Sequence, residues 1–205
     1  MLIPNIFEIH PKCIPKKGIL HIGAHKCEEE PLYHSLGIND DNILWIEANK
    51  DVIPTNKTNI VEAVISDIDN ETVNFMITNN YESSSILNFK THLQEHPHVY
   101  EIERRKLQTI TLNTLYKNLN IEYNKFDFIN IDIQGAELKA LKGATNILPY
   151  INAIYAEVNE KELYEGCSLI NELDEYLNEY NFTRLYTAMT QFGWGDALYV
   201  KTNIM

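Results

Sequence analysis

The chain has 205 residues, 44% of them hydrophobic, which suits one globular domain with a sizeable core and leaves a second full domain cramped. Its 17 Lys and Arg against 29 Asp and Glu give a net charge of −12, which argues against a broad phosphate-binding surface and so against nucleic acid as a partner. Cys13, Cys27 and Cys167 are odd in number, widely spaced and without a CxxC pair, so neither a disulfide framework nor a zinc site is expected, and a reducing, cytoplasmic setting fits.

Residues 1–5 lack a basic n-region and an apolar h-region, and no segment reaches the length of a membrane span, so no membrane attachment is expected. Residues 18–23 read as a short apolar strand, and residues 28–36 have helical character, with Leu32 and Leu36 four apart. A second strand over 43–47 ends in the acid Glu47, and a third over 60–65 ends at Ser66 and Asp67. This is the spacing of βαβ units.

Residues 73–77 alternate like a half-buried strand and lead into the polar loop Tyr81-Glu82-Ser83-Ser84-Ser85, which marks an insertion over the sheet at about 78–106. Within it His92, His96 and His98 have the separations of a metal cluster only superficially. Pro97 interrupts them, and a surface loop or short helix is expected. Arg104-Arg105-Lys106 reads as a solvated helix end followed by a strand, with a substrate phosphate as the alternative.

A short helix is expected from Thr111, and residues 126–132 are the most apolar strand and hence the central one. A helix through Lys142 follows, with Gly143 as its C-cap. Residues 153–158 read as a strand, 169–180 as a helix, and 182–186 with 196–200 as an antiparallel hairpin at the sheet edge.

Two strand-to-helix corners, one at Gly23 and one over residues 132–137, are where an open α/β sheet presents a ligand site. Backbone amides freed at the first corner can cradle an anionic or zwitterionic group, and Gly23 admits close approach. A dinucleotide fingerprint needs further glycines where this chain has His25 and Glu28, so NAD and a nicotinamide oxidoreductase are disfavoured. Glu47 can accept hydrogen bonds from both hydroxyls of a ribose, and a pocket holding Asp132, Glu47 and Glu157 favours a cation. S-adenosylmethionine, with a ribose, a sulfonium and no pyrophosphate, meets both conditions.

The segments His21-Ile22-Gly23-Ala24-His25, Trp45-Ile46-Glu47-Ala48-Asn49, Ala63-Val64-Ile65-Ser66-Asp67, Ser83-Ser84-Ser85, Ile131-Asp132-Ile133-Gln134-Gly135-Ala136-Glu137-Leu138 with Leu141-Lys142-Gly143-Ala144, and Ala197-Leu198-Tyr199-Val200 together resemble the FkbM family of S-adenosylmethionine-dependent methyltransferases. The likeness runs from about residue 18 to 200 of a single domain spanning 1–205. It implies a class I methyltransferase fold of the α/β class, a seven-stranded, mostly parallel sheet with an antiparallel last strand and helices on both faces. It also implies methyl transfer to a hydroxyl of a sugar, nucleotide-sugar or similar small metabolite.

The resemblance places Gly23, Ala24 and His25 in the cofactor loop, Glu47 at the ribose, Ser66 and Asp67 near adenine, and Asp132 at the reaction corner, and Asn49, Asp132 and Gln134 join the cofactor-binding candidates. The chain departs from the family pattern at three positions: an acid is common where His21 stands, a glycine where Cys27 stands, and a lysine where Asn130 stands.

Transfer from a sulfonium is an in-line displacement, so positioning dominates, and a group taking the hydroxyl proton adds about 10²–10⁴-fold. Asp132 is the first candidate base, with Glu157 at the next strand end and His25 in the loop as further catalytic candidates. Asp132 can equally hold a divalent cation, although no metal is assigned. Glu137 suits the helix dipole, and His21 reads as a satisfied core histidine. Tyr81, Ser84, Glu137 and Trp194 are the candidates for acceptor contacts. A methyltransferase-like binding module without turnover is the other reading, and two-fold association through a sheet edge is compatible with either.

Overall fold

The computed structural model describes residues 6–204; residues 1–5, on which the expectation of no leader rests, and Met205 lie outside the described residues. In chain order the elements are α1 (Ile6–Ile9), β1 (Ile19–Ile22), α2 (Glu30–Ser35), β2 (Ile43–Glu47), β3 (Ile60–Glu62), β4 (Val64–Ile65), β5 (Thr72–Thr78), α3 (His92–Glu95), β6 (Glu101–Ile110), α4 (Leu112–Asn118), β7 (Phe128–Ile131), α5 (Glu137–Lys142), β8 (Ala153–Asn159), α6 (Ile170–Asn178), β9 (Phe182–Met189) and β10 (Trp194–Lys201).

Seven strands form one sheet in the order β3-β2-β1-β7-β8-β10-β9, parallel except at β10, which runs antiparallel to both neighbours. This is the strand order of a class I methyltransferase, and β7 lies at its centre as its composition implies. The hairpin reaches the sheet edge through β9, while β10 is inserted between β8 and β9.

Period-two alternation sorts the strand side chains into two apolar layers. Leu20, Ile22, Leu44, Ile46, Ile129, Ile131 and Ile154 face a core closed by Leu112, Leu115 and Tyr116 of α4, Ala140 and Leu141 of α5, and Leu173 and Leu177 of α6. Ile19, Ile43, Trp45, Phe128, Ala153 and Tyr155 face the other layer, closed by Ile6 and Phe7 of α1 and Tyr33 of α2. Burial on both faces explains why β1, β2 and β7 read as nearly unbroken apolar runs. Asp127 fastens the sheet's lower edge, accepting the backbone N–H groups of Lys16, Lys17 and Gly18. No helix among the described residues is long and apolar enough to cross a membrane.

The expected third strand is two. Ile60–Glu62 joins the main sheet beside β2, and Val64–Ile65 turns away to pair with β6. With β5 it builds a second, three-stranded sheet in the order β4-β6-β5. Arg104, Arg105 and Lys106 lie in the middle of β6 rather than at a helix end. Arg104 is bound to Glu101, and Arg105 to Glu103 and Asp51, so neither cation is left for a substrate phosphate. Gly143 does cap α5, but with φ near −77°. What requires glycine there is contact, since a β-carbon would stand 2.3 Å from the Ser66 carbonyl oxygen.

Candidate active site

The carboxyl ends of β1, β2, β7 and β8 open into one cavity of about 440 Å³. β1 and β7 are neighbours, and the chain runs from β1 toward β2 on one side and from β7 toward β8 on the other, which makes this edge the topological switch point where α/β folds bind ligands. Gly23, Ala24, His25, Glu47, Asp132, Gln134, Glu157, Tyr81, Ser84 and Trp194 all line this cavity. Asn49, Ser66, Asp67 and Glu137 do not.

At the first corner, Gly23 at φ +86° brings the chain so close to β7 that a β-carbon would lie 1.8 Å from the Asp132 carbonyl oxygen. The amides of this corner are not free to cradle an anion, contrary to expectation. Gly23 and Ala24 both donate to the Ile46 carbonyl, and His25 donates to Glu47 Oε2 at 2.8 Å. Glu47 also accepts the Asn49 N–H at 2.7 Å on Oε1, so both oxygens are oriented by backbone while their remaining lone pairs can still accept. Burial raises the Glu47 carboxyl above its ordinary range, opposed by those two N–H groups. The side-chain carbonyl of Asn49 points away, toward the Asp51 amide and Arg105.

The second corner is built on two consecutive left-handed residues, Gln134 at φ +56° and Gly135 at φ +96°. That turn swings the Gln134 amide between two acids, where Nε2 donates at 2.7 Å both to Asp132 Oδ1 and to Glu157 Oε2. Its Oε1 accepts the Tyr164 hydroxyl at 2.6 Å. Glu137 lies beneath the corner and caps it from below, with Oε1 accepting the N–H groups of Ile133 and Gly135.

Burial drives the Glu157 carboxyl well above its ordinary range, and the charges of Asp132 and Glu137 push it further. Burial likewise raises Glu137 to about 7. Asp132 is held below its ordinary range: burial raises it, but positive charge, followed by the Gln134 amide and the Glu157 carboxyl as hydrogen-bond donors, outweighs that effect. The corner therefore biases its two carboxyls in opposite directions, Asp132 toward the ionised form and Glu157 toward the protonated one. One oxygen from each of Asp132, Glu137 and Glu157 lies within 4.8 Å of the others, close enough to share a cation.

The wall facing this corner comes from the insertion and from the loop after β8. Ser85 Oγ donates to the Gln134 carbonyl at 2.9 Å, and the Tyr164 hydroxyl also reaches the Ser83 carbonyl at 3.2 Å. Tyr164, Ser85, His92, His96 and His98 are cavity residues that sequence reasoning left out. The short helix expected there is α3, and its His92, with His96 and His98 after it, lines the cavity.

A profile described as the methyltransferase FkbM domain matches residues 6–184. The chain belongs to the FkbM methyltransferase family. Its methyl donor is S-adenosylmethionine. No curated protein matches the sequence. Among solved structures, the chain is similar to magnesium protoporphyrin IX methyltransferase from Synechocystis PCC 6803. The form with bound S-adenosylmethionine is 8% identical, with a TM-score of 0.45 over 95% of this chain and 74% of that one. The form with bound S-adenosylhomocysteine is 8% identical, with a TM-score of 0.47 over 96% and 78%.

The residues present fit the FkbM cofactor. Glu28, Glu29, Glu47, Asp132 and Glu157 line the cavity with no Lys or Arg among its described lining, a donor set that suits a sulfonium and repels a pyrophosphate. His25 Nε2 is buried at the same wall without a hydrogen-bond partner among the described residues, one polar atom left for a ligand. The three departures from the FkbM pattern also find places. His21 and Asn130 are register partners on β1 and β7, joined through Tyr33 of α2, whose hydroxyl lies 2.9 Å from His21 Nδ1 and accepts from Asn130 Nδ2 at 2.8 Å. Burial pushes His21 down to about 3, so it is a neutral structural residue and not a base. Cys27 stands in the left-handed region at φ +61°, where glycine is the unstrained choice.

Proposed function

We propose that the chain transfers a methyl group to a hydroxyl of a sugar, nucleotide-sugar or similar small metabolite. The observation that carries this reading is the buried acid corner, where the Gln134 amide nitrogen holds Asp132 Oδ1 and Glu157 Oε2 at 2.7 Å each, open to a cavity that continues past it into a lobe walled by flat rings. When bound, S-adenosylmethionine supplies the electrophilic methyl group.

The protein's own residues do the rest. Glu47 anchors the ribose hydroxyls. The Gln134 amide fixes Asp132, whose carboxylate takes the proton of the acceptor hydroxyl as its oxygen attacks. The wall formed by Ser85 and Tyr164 keeps the acceptor aligned, which matters most for an in-line displacement. Three buried, unpaired cysteines suit a reducing compartment, and we place the protein in the cytoplasm.

Release of S-adenosylhomocysteine from mixtures of sugars and the methyl donor tests the reading. Asp132→Asn is expected to lower turnover by about 10²-fold or more, with affinity for S-adenosylhomocysteine retained. Full activity in that variant would remove Asp132 as base, and loss of turnover in EDTA would turn the acid corner into a cation site.

A further inference from the structure

Beyond the acid corner, the cavity ends among rings. His92 stacks on Phe89, with centroids 4.2 Å apart and planes 12° from parallel, and meets Tyr164 at 5.4 Å and His96 at 5.0 Å. His96 packs on Phe192 at 4.9 Å, and Trp194 lines the same space. The lobe is tied to the reacting corner through Tyr164, which holds Gln134.

His92 lines the cavity and is only 4% exposed, yet its Nδ1 is buried without a hydrogen-bond partner among the described residues. Leaving such a group unmatched is unfavourable, so it points to a ligand. Its ligand is not a metal held by the trio, because no choice of ring nitrogens brings His92, His96 and His98 within 4.8 Å of one another.

We propose that this lobe is the acceptor subsite, that it takes an uncharged polyhydroxylated ring, and that His92 is the residue that hydrogen-bonds one of its hydroxyls and sets specificity against phosphorylated forms of the same ring. The proposal rests on the methyltransferase reading above and narrows its acceptor. A neutral imidazole offers one donor and one acceptor, which is what a hydroxyl offers in return. Burial, with repulsion from His96 and His98, pushes His92 down to about 4, so the ring is neutral at physiological pH. Flat ring faces give apolar contact to the C–H face of a sugar.

A phosphate meets the opposite conditions. The cavity is lined by Glu28, Glu29, Glu47, Glu82, Asp132 and Glu157, and no Lys or Arg is among its described lining. A nucleotide-linked sugar would bring its diphosphate toward carboxylates with no Lys or Arg among the described lining to receive it.

The test uses the full chain. Calorimetry first establishes binding of S-adenosylhomocysteine, and saturation-transfer NMR on that complex then compares methyl glycosides of common hexoses and deoxyhexoses with the UDP-sugars carrying the same glycosyl groups. At least one glycoside is expected to bind tenfold or more tightly than its UDP counterpart. His92→Phe, which keeps the flat ring, should weaken that glycoside about tenfold and leave S-adenosylhomocysteine affinity unchanged, and His92→Gln should recover part of the loss.

Equal or tighter binding of the UDP-sugars overturns the proposal, as does a cofactor-binding protein that takes no glycoside, or a well-folded His92→Phe variant with undiminished glycoside affinity. Should His92→Phe lose its melting transition, the wild-type discrimination decides alone. Failure to bind S-adenosylhomocysteine overturns the methyltransferase reading itself.

Discussion

Cys27 shows how a single backbone angle can explain a residue preference. Its φ of +61° costs a non-glycine residue about 1–2 kcal/mol, because the β-carbon crowds the following carbonyl. The side chain is buried, and burial pushes its thiol up to about 12, so it contributes packing and no nucleophilicity. Replacement by alanine loses the sulfur and keeps the strain, whereas replacement by glycine loses the sulfur and relieves it. Cys27→Gly is therefore expected to be more stable than Cys27→Ala by about 1 kcal/mol in urea unfolding, despite the greater chain entropy of glycine. The reverse order would show that this corner is not held left-handed in solution.

At the scale of elements, His21, Asn130 and Tyr33 join β1, β7 and α2 through a neutral hydrogen-bonded trio. Asn130→Lys alone would bury a cation against a histidine that resists protonation, and a loss of about 3 kcal/mol or more is expected. His21→Asp added to it should restore a large part of that loss. Thermal melts of the single and double variants measure the coupling, and additive losses would mean that the two side chains do not share one environment.

The elements carrying the cavity were legible because each strand there is buried on both faces, so apolar run, acid and glycine mark a strand and its end. Gly23, Glu47 and Asp132 were found that way. The division of residues 60–65 between two sheets was not legible, because Ala63 breaks no pattern and the partner of Val64–Ile65 lies more than forty residues on, at Thr109–Ile110. Tyr164 was equally hidden, since it sits in a loop without periodicity and acts by reaching Gln134 across 30 positions.

Over the whole molecule, buried carboxyls and buried histidines pull the pH dependence of stability in opposite directions. Glu157 stands well above its ordinary range, Glu137 is raised to about 7 and Asp196 to about 6, in each case chiefly by burial. Between the unfolded carboxylate value and these raised ones, the folded state holds more protons than the unfolded one, so stability falls as pH rises through that window. His21 and His92 are lowered by burial to about 3 and about 4, so below about pH 6.5 the unfolded state takes up protons that the folded state refuses, and stability falls as pH drops.

Above about pH 6.5 only the carboxyls act. Melting temperature is therefore expected to rise as pH is lowered from 8 toward 6.5, to flatten where the histidines begin to oppose the carboxyls, and to fall below about 4.5, where the ion-paired surface acids such as Glu101 and Glu103 are neutralised. Glu137→Gln and Glu157→Gln should each flatten the limb above pH 6.5 and leave the acid limb in place. A melting temperature that climbs steadily to pH 8 in the wild-type chain would mean that the acid corner is ionised throughout, and Glu157 could not then serve as the proton-bearing neighbour of Asp132.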